Sequence, residues 1–265
     1  GRRKMRALHL TSKTITRLTG APGRRIRQAR WSRIEGLDQP ISVKVSEKAA
    51  LRLYPHGQIA QYLYVGCFEQ TELRQVARFL KCGMNVIDIG ANIGLYSALS
   101  SLLIGSEGRV WAFEPSSETA CRLSRNLELN QCSNVEIIRK ALSDIDGGSL
   151  TLRRDPGFGD GERYVCSNSS GSCERRTDAD KGDEENVPVT TLDVWWSDLG
   201  ESRPRVDFIK MDVEGSELSV LRGAAKLLAD SPDVVIMLEC QEKHCAKFGH
   251  RPSDVWGVLK GHGLR

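Results

Sequence analysis

The sequence predicts an α/β protein built on a doubly wound, Rossmann-like parallel sheet. Three observations carry this prediction. Short apolar runs recur near 85–89, 109–114, 134–139, 206–212 and 233–239. Each is nearly continuous, as strands covered on both faces require. Helical periodicity falls between them, near 94–104, 117–130 and 216–229. The first run leads into Val86-Ile-Asp-Ile-Gly90-Ala-Asn-Ile-Gly94, an apolar strand followed by a tight glycine turn and a helix start. Strands alternating with helices imply parallel pairing through right-handed crossovers.

Residues 1–37 form a basic arm, with Gly20-Ala-Pro-Gly23 as a break inside it. Residues 38–82 form a small β/α extension. Within it, residues 41–65 alternate apolar and polar, as in Ile41-Ser-Val43-Lys-Val45, and His56-Gly57 offers a turn between two such runs. Short antiparallel strands beside the main sheet are expected. Thr71–Lys81 carries Leu73, Val76, Ala77 and Leu80, the spacing of a helix with one buried face. Residues 83–265 hold the strand–helix alternation. In its helix near 216–229, Leu218, Leu221, Ala225 and Leu228 make one stripe, and Pro232 stops the helix. Residues 153–186 break the rhythm. They are polar, with Asp155-Pro-Gly157 and Asn168-Ser-Ser-Gly171 as turn signals, and Phe158, Tyr164 and Val165 as a small apolar anchor. A polar segment this long is expected to be a mobile lid on the substrate side or an insertion.

The glycine turn narrows the ligand. A dinucleotide site needs G-x-G-x-x-G, whose middle glycine lets the backbone approach a pyrophosphate. The spacing here is Asp88-x-Gly90-x-x-x-Gly94, with Asn92 where that pattern needs glycine. A phosphate loop, G-x-x-x-x-G-K-[ST], is also missing. Asp88 at the strand tip would repel a pyrophosphate and suits a cationic ligand. The next strand ends in Trp111-Ala-Phe-Glu114-Pro115, where Glu114 can accept hydrogen bonds from both vicinal hydroxyls of a ribose. S-adenosylmethionine combines a sulfonium, an ammonium and a ribose, and fits both carboxylates.

The chain also contains FEQTEL (Phe68–Leu73), VIDIGANIGLYS (Val86–Ser97), GRVWAFEPSSE (Gly108–Glu118), NVEIIRKALSD (Asn134–Asp144), VPVTTLD (Val187–Asp193), VDFIKMDVEGSELSVLRGA (Val206–Ala224) and VVIMLEC (Val234–Cys240). In this order the set resembles the FkbM family of S-adenosylmethionine-dependent methyltransferases, over roughly residues 60–262. The resemblance implies a class I methyltransferase sheet of strand order 3-2-1-4-5, with residues 83–265 as the cofactor-binding domain. It implies methylation of a hydroxyl on a carbohydrate, glycolipid or secondary metabolite. It also implies an antiparallel pair of strands after the final helix, and the sequence stops at Gly263-Leu264-Arg265, where the first of them should begin. The first residue is glycine rather than methionine, so the natural start is expected upstream.

On this reading Asp88, Gly90, Ala91, Asn92 and Gly94 lie along the methionine end of the cofactor, and Glu114 holds the ribose. The Ala141–Asp144 turn flanks the adenine, with Ser143 or Asp144 as hydrogen-bond partner. Methyl transfer is an in-line displacement, so the protein mainly aligns the acceptor and excludes water. An alcohol is a poor nucleophile and benefits from a base. Asp212, at the tip of the fourth strand, is the candidate base and also touches the methionine end. Glu239, at the tip of the fifth, faces the same crevice. Lys210 shares Asp212's side of its strand and can pair with it. Asp212 and Glu239 are oxygen ligands of the kind Mg²⁺ takes, yet two solvated or hydrogen-bonded carboxylates are the preferred reading, and no metal site is expected. Glu214 serves either this site or the first turn of the following helix. His244 faces either the site or solvent.

Composition is that of a water-soluble globular protein, with no run long enough to span a membrane and no secretory signal. Of eight cysteines, Cys67, Cys82, Cys121, Cys132 and Cys240 fall in or beside expected strands and helices. Cys166 and Cys173, in the polar segment, could pair only in an oxidising compartment. No C-x-x-C occurs, which argues against zinc. Free thiols and a cytoplasmic location are the expectation. Residues 1–33 carry eleven basic residues and no acid, so the arm is either a solvated tail or a contact to an anionic membrane surface or polyanion. Two other functions compete. One is an RNA methyltransferase using the arm, against which DVEG stands in place of an N-P-P-Y-like tetrapeptide. The other is a non-catalytic cofactor-binding protein, which the intact Asp88, Glu114 and Asp212 argue against.

Overall fold

A computed structural model of the chain describes residues 21–154, 163–165, 184–201 and 203–264. Its centre is a five-stranded parallel sheet of β3 (Asn85–Ile89), β4 (Arg109–Phe113), β5 (Val135–Ile138), β10 (Phe208–Met211) and β11 (Val235–Leu238), in the order β11-β10-β3-β4-β5. Taken along the chain as strands one to five, this is the order 3-2-1-4-5. Val86, Ile87 and Ile89 of β3 and Val110, Trp111 and Phe113 of β4 are all buried, because helices cover both faces. Helices α4 (Leu95–Ile104) and α5 (Ser117–Leu129) link β3, β4 and β5. Ser116 caps α5 by accepting the N–H of Thr119.

The segment before the sheet departs from the expected strand pair. Residues 41–65 hold a hairpin of β1 (Ile41–Lys44) and β2 (Ala50–Leu53) and then a helix, α2 (Gly57–Val65). His56-Gly57 therefore starts a helix instead of turning between strands. Ala60 and Leu63, three apart, are buried on it, and the helical period outweighs the apparent alternation. Helix α3 (Gln70–Phe79) follows. Val43, Leu51, Leu63, Leu73 and Val76 of this segment share one apolar cluster with Val86, Leu95, Leu99 and Phe208. On α5, the amide oxygens of Asn126 and Asn130 accept the N–H groups of Arg52 (2.7 Å) and Ala50 (2.9 Å), which satisfies the open edge of β2.

Part of the basic arm is not a solvated tail. Helix α1 (Ala21–Trp31) packs Trp31 against Tyr64 at 5.8 Å between ring centroids, and Arg27 and Trp31 are buried. Residues 1–20, with six of the arm's eleven basic residues, lie outside the described residues. The polar segment 153–186 also lies largely outside them, including Phe158, Cys166 and Cys173. Its flanks form a small second sheet, ordered β6-β9-β7-β8, from β6 (Ala141–Leu142), β7 (Ser149–Arg154), β8 (Arg163–Val165) and β9 (Glu184–Thr190). An Arg153–Glu184 ion pair at 2.9 Å ties β7 to β9.

After β9, α6 (Leu192–Asp198) precedes β10. The expected helix near 216–229 is two helices, α7 (Glu217–Arg222) and α8 (Ala225–Asp230). The break has a cause: the Asp193 carboxylate on α6 accepts the N–H groups of Lys226 (3.0 Å) and Leu227 (2.9 Å), capping a new helix start. Leu218, Leu221 and Leu228 are buried, while Ala225, the first residue of α8, is exposed. Helices α9 (Glu242–Lys247) and α10 (Pro252–Gly261) close the described chain, and no strand follows α10 among the described residues. No helix among them is long and apolar enough to cross a membrane.

Candidate active site

A cavity of about 700 Å³ opens beyond the carboxyl ends of β3, β4, β10 and β11. It sits where the strand order reverses, between β3 and β10, the place where open α/β sheets take ligands. Its wall includes Gly90, Asn92, Glu114, Asp212, Glu214, Glu239 and His244. The N-terminal segment adds Gln58, Tyr62, Phe68 and Glu69, and Lys140 to Leu142 add a third side.

At one end the glycine turn and Glu114 are bound together by the main chain. Glu114 Oε2 accepts the N–H of Asn92 at 2.9 Å, and Oε1 accepts the N–H of Ser116 at 3.0 Å. The N–H groups of Gly90 and Ala91 both donate to the Phe113 carbonyl. Asn92 has φ 49°, in the left-handed region, where asparagine is among the few tolerated side chains. Its Oδ1 accepts the N–H of Ile93 at 2.7 Å. Burial pushes the Glu114 carboxyl up from 4.5 to about 7, against the two main-chain hydrogen bonds, which pull it down. Two N–H donors leave lone pairs on both oxygens for further donors. Gly90 has φ 76°, and a methyl group there would collide with the carbonyl oxygen of Asp212. That contact presses the turn directly on the end of β10.

The other end is made of side chains. Lys210 is 5% exposed, pairs with Asp212 at 3.2 Å (Nζ to Oδ2), and lies 5.0 Å from the centre of the Tyr96 ring. The Tyr96 hydroxyl donates to Glu69, and Gln241 donates to Glu239. Burial raises the Glu69 carboxyl above its ordinary range. Carboxylate oxygens of Glu69, Asp212 and Glu239 come within 4.8 Å of one another. Burial, with Lys243 and Lys247 close by, lowers the imidazolium of His244.

The structure thus gathers Gly90, Asn92, Glu114, Asp212 and Glu239 on one cavity, with Lys210 behind Asp212. It holds other expected residues off the wall. Asp88 is 1% exposed, inside the sheet, where its carboxylate accepts the Ser97 hydroxyl at 2.5 Å. Burial raises it from 3.8 to about 6. Ala91 is buried, and the space at Gly94 is filled by Leu123 of α5. Ser143 and Asp144 bond to each other at 3.1 Å at the exposed end of their turn. Glu69 and Tyr96 were not foreseen. The signal in sequence was FEQTEL itself, whose Glu69 stands one residue before α3.

The cavity and Glu114 fit S-adenosylmethionine: the volume is that of a small-molecule site, and the carboxylate keeps acceptor capacity toward it. Residues 88–265 match the family model for the methyltransferase FkbM domain. "Methyltransferase 1" of Beauveria bassiana is 32% identical over 171 residues, 60% of this chain and 65% of that protein. Hexuronic acid methyltransferase AglP of Haloferax volcanii is 30% identical over 174 residues, 65% of this chain and 59% of that protein. The chain therefore spans about three-fifths of the length of these curated relatives. Among solved structures, a SAM dependent methyltransferase from Aquifex aeolicus gives a TM-score of 0.38 at 18% identity, over 74% of this chain and 79% of that one. Fibrillarin from Aeropyrum pernix gives 0.39 at 13% identity, over 70% and 59%. With the match covering most of its length, the chain belongs to the FkbM methyltransferase family.

Proposed function

We propose that the chain transfers a methyl group from S-adenosylmethionine to a hydroxyl oxygen of a carbohydrate, glycolipid or secondary metabolite, with Asp212 as the base. The observation that carries this reading is the group of three carboxylates, Glu69, Asp212 and Glu239, on the wall of the same cavity as Glu114. Like charges there disfavour a carboxylate acceptor and suit a neutral one with a proton to lose.

The cofactor supplies a methyl group on a sulfonium, already activated for displacement. Glu114 would hold the ribose, and Gly90 and Asn92 would border the methionine end. Asp212 accepts the hydroxyl proton as the acceptor oxygen attacks in line. Lys210 fixes the Asp212 side chain through its ion pair, and the Tyr96 ring fixes Lys210. Glu69 and Glu239 orient the acceptor by taking hydrogen bonds from its other hydroxyls. Haloferax AglP, named for a hexuronic acid, supports a sugar-like acceptor; the name covers both hydroxyl and carboxyl groups, and the choice of a hydroxyl rests on the carboxylates of this site alone.

The test is transfer of label from methyl-labelled cofactor to sugar, lipid and RNA pools. A base-stable methyl ether on a sugar or lipid is expected. Label confined to RNA, or to a base-labile carboxyl ester, would overturn the reading.

A further inference from the structure

Behind the active-site wall, four side chains from three elements converge. Cys240 follows Glu239 at the end of β11, and its Sγ lies 3.5 Å from the Sγ of Cys245 on α9. His250 follows α9, and its N–H donates to the Cys245 carbonyl at 3.3 Å. Glu217 opens α7. Its Oε1 accepts the N–H of Gly215 at 3.0 Å. Its Oε2 is buried without a hydrogen-bond partner, and so is Nε2 of His250. Glu217 is 1% exposed and Cys245 is fully buried. Ligand atoms of Glu217, Cys245 and His250 all lie within 4.8 Å of one another.

This arrangement is costly as it stands. Glu217 Oε2 and His250 Nε2 are both buried without a hydrogen-bond partner, which disfavours each where it stands. One cation between them would satisfy both, and the two sulfurs with them. A tetrahedral zinc site with bonds of about 2.0–2.3 Å has ligand–ligand edges of roughly 3.3–3.8 Å. The sulfur–sulfur separation, 3.5 Å, is already in that range. The Glu217, Cys245 and His250 atoms lie within 4.8 Å of one another and need to close by up to about 1.5 Å, and Cys240, outside that group, has to swing in to complete it.

We propose that Cys240, Cys245, His250 and Glu217 form a tetrahedral site for a thiophilic divalent cation, with Zn²⁺ as the fitting ion. Two sulfurs, one imidazole and one carboxylate select zinc over Mg²⁺ or Ca²⁺, which take oxygen. Both thiols enter as thiolates and give their protons to solvent. The spacing C-x₄-C-x₄-H, with the carboxylate from an earlier helix, lacks the C-x-x-C that sequence reading looks for. The site would clamp the Glu239–Gln241 segment to the turn between Asp212 and α7. It is independent of the proposed acceptor and can be detected without methyl transfer.

The test begins with the chain purified from zinc-supplemented cells and dialysed against weak chelator. About one zinc per chain is expected by elemental mass spectrometry. Adding Co²⁺ to stripped protein should give thiolate-to-cobalt charge transfer in the near ultraviolet and the strong visible bands of tetrahedral cobalt. Cys240→Ser and Cys245→Ser should each remove about half of the charge-transfer intensity, and His250→Ala should weaken retention at least tenfold. If these variants fail to fold, alkylation mapping of the wild type decides: half-buried Cys240 should be protected in zinc-loaded protein and alkylated in stripped protein, while exposed Cys67 and Cys82 react equally in both. No retained zinc with no cobalt spectrum would overturn the proposal. So would a cobalt spectrum unchanged in both serine variants, or a Cys240–Cys245 disulfide in freshly purified protein.

Discussion

Around Glu114 the cavity wall comes from one continuous stretch, Gly90 to Glu114, and is bonded through main-chain N–H groups. Around Asp212 it is gathered from segments near 58–69, 212–216 and 239–247 and bonded side chain to side chain. The first kind of wall is inseparable from the fold, since the atoms that hold Glu114 also connect β3 to α4. The second can change its chemistry without moving a strand. The expected division of labour follows: a constant cofactor end and an acceptor end that sets specificity.

The sharpest test of that division is Asp212→Asn. It should leave the fold and most cofactor affinity in place while lowering turnover by about 10²–10⁴. Separate calorimetry and rate measurements would show whether the two ends are independent. Chelation and Glu239→Gln extend the test. If oxygen-bound Mg²⁺ rather than a base acts there, both should reproduce the defect.

Gly90→Ala should break both ends at once. The added methyl group meets the Asp212 carbonyl, and the turn must keep φ 76°. A loss of about 3 kcal/mol or more in stability is expected by denaturant melts, with weaker cofactor binding in whatever remains folded.

Glu114→Ala should weaken cofactor binding by about 2–3 kcal/mol, the loss of charge-assisted hydrogen bonds. The pH dependence sharpens this. Folding raises the Glu114 carboxyl from 4.5 to about 7, so folding favours its protonated form. The associated stability is present below pH 4.5 and lost as pH climbs through about 7. Cofactor affinity should move the opposite way, rising through the same window as the carboxylate forms. Glu114→Gln should flatten both curves, as seen by melts and calorimetry from pH 5 to 8.

Tyr96→Phe should have the smallest effect, about 1–2 kcal/mol, from loss of the hydroxyl to Glu69. A rise in acceptor KM with cofactor Kd unchanged would place Tyr96 on the acceptor side. An equal change in both would blur the division.

The same contrast explains what the sequence disclosed. The parallel strands were legible because Val86–Ile89, apart from Asp88, and Val110–Phe113 are apolar on both faces. Glu114 was legible as a candidate because it is the carboxylate that ends the strand after the glycine turn. The Lys210–Asp212 pair followed from strand parity alone. Glu69 was not legible as a site residue, because its role depends on Tyr96 and on how α3 packs beside β10. Helix α2 was misread as a strand, since His56-Gly57 serves equally as a turn or a helix start. Ser143 and Asp144 were expected at the cavity and are not among the residues of its wall, which ends on this segment at Leu142, where β6 pairs with β9. The Cys240–Cys245–His250–Glu217 cluster escaped notice because its fourth member comes from another helix.

The contact between Gly90 and the Asp212 carbonyl has a consequence for engineering. It joins the two halves through atoms that every amino acid carries, so the joint does not depend on which side chains line the acceptor pocket. Redesign of the pocket should therefore change the lining positions Gln58, Tyr62, Gln241 and Lys243 and keep Leu63, Tyr64, Cys240 and Cys245, which are tied to the rest of the fold. On the proposed roles, the joint would keep the glycine turn and Asp212 in one register while the lining side chains are varied.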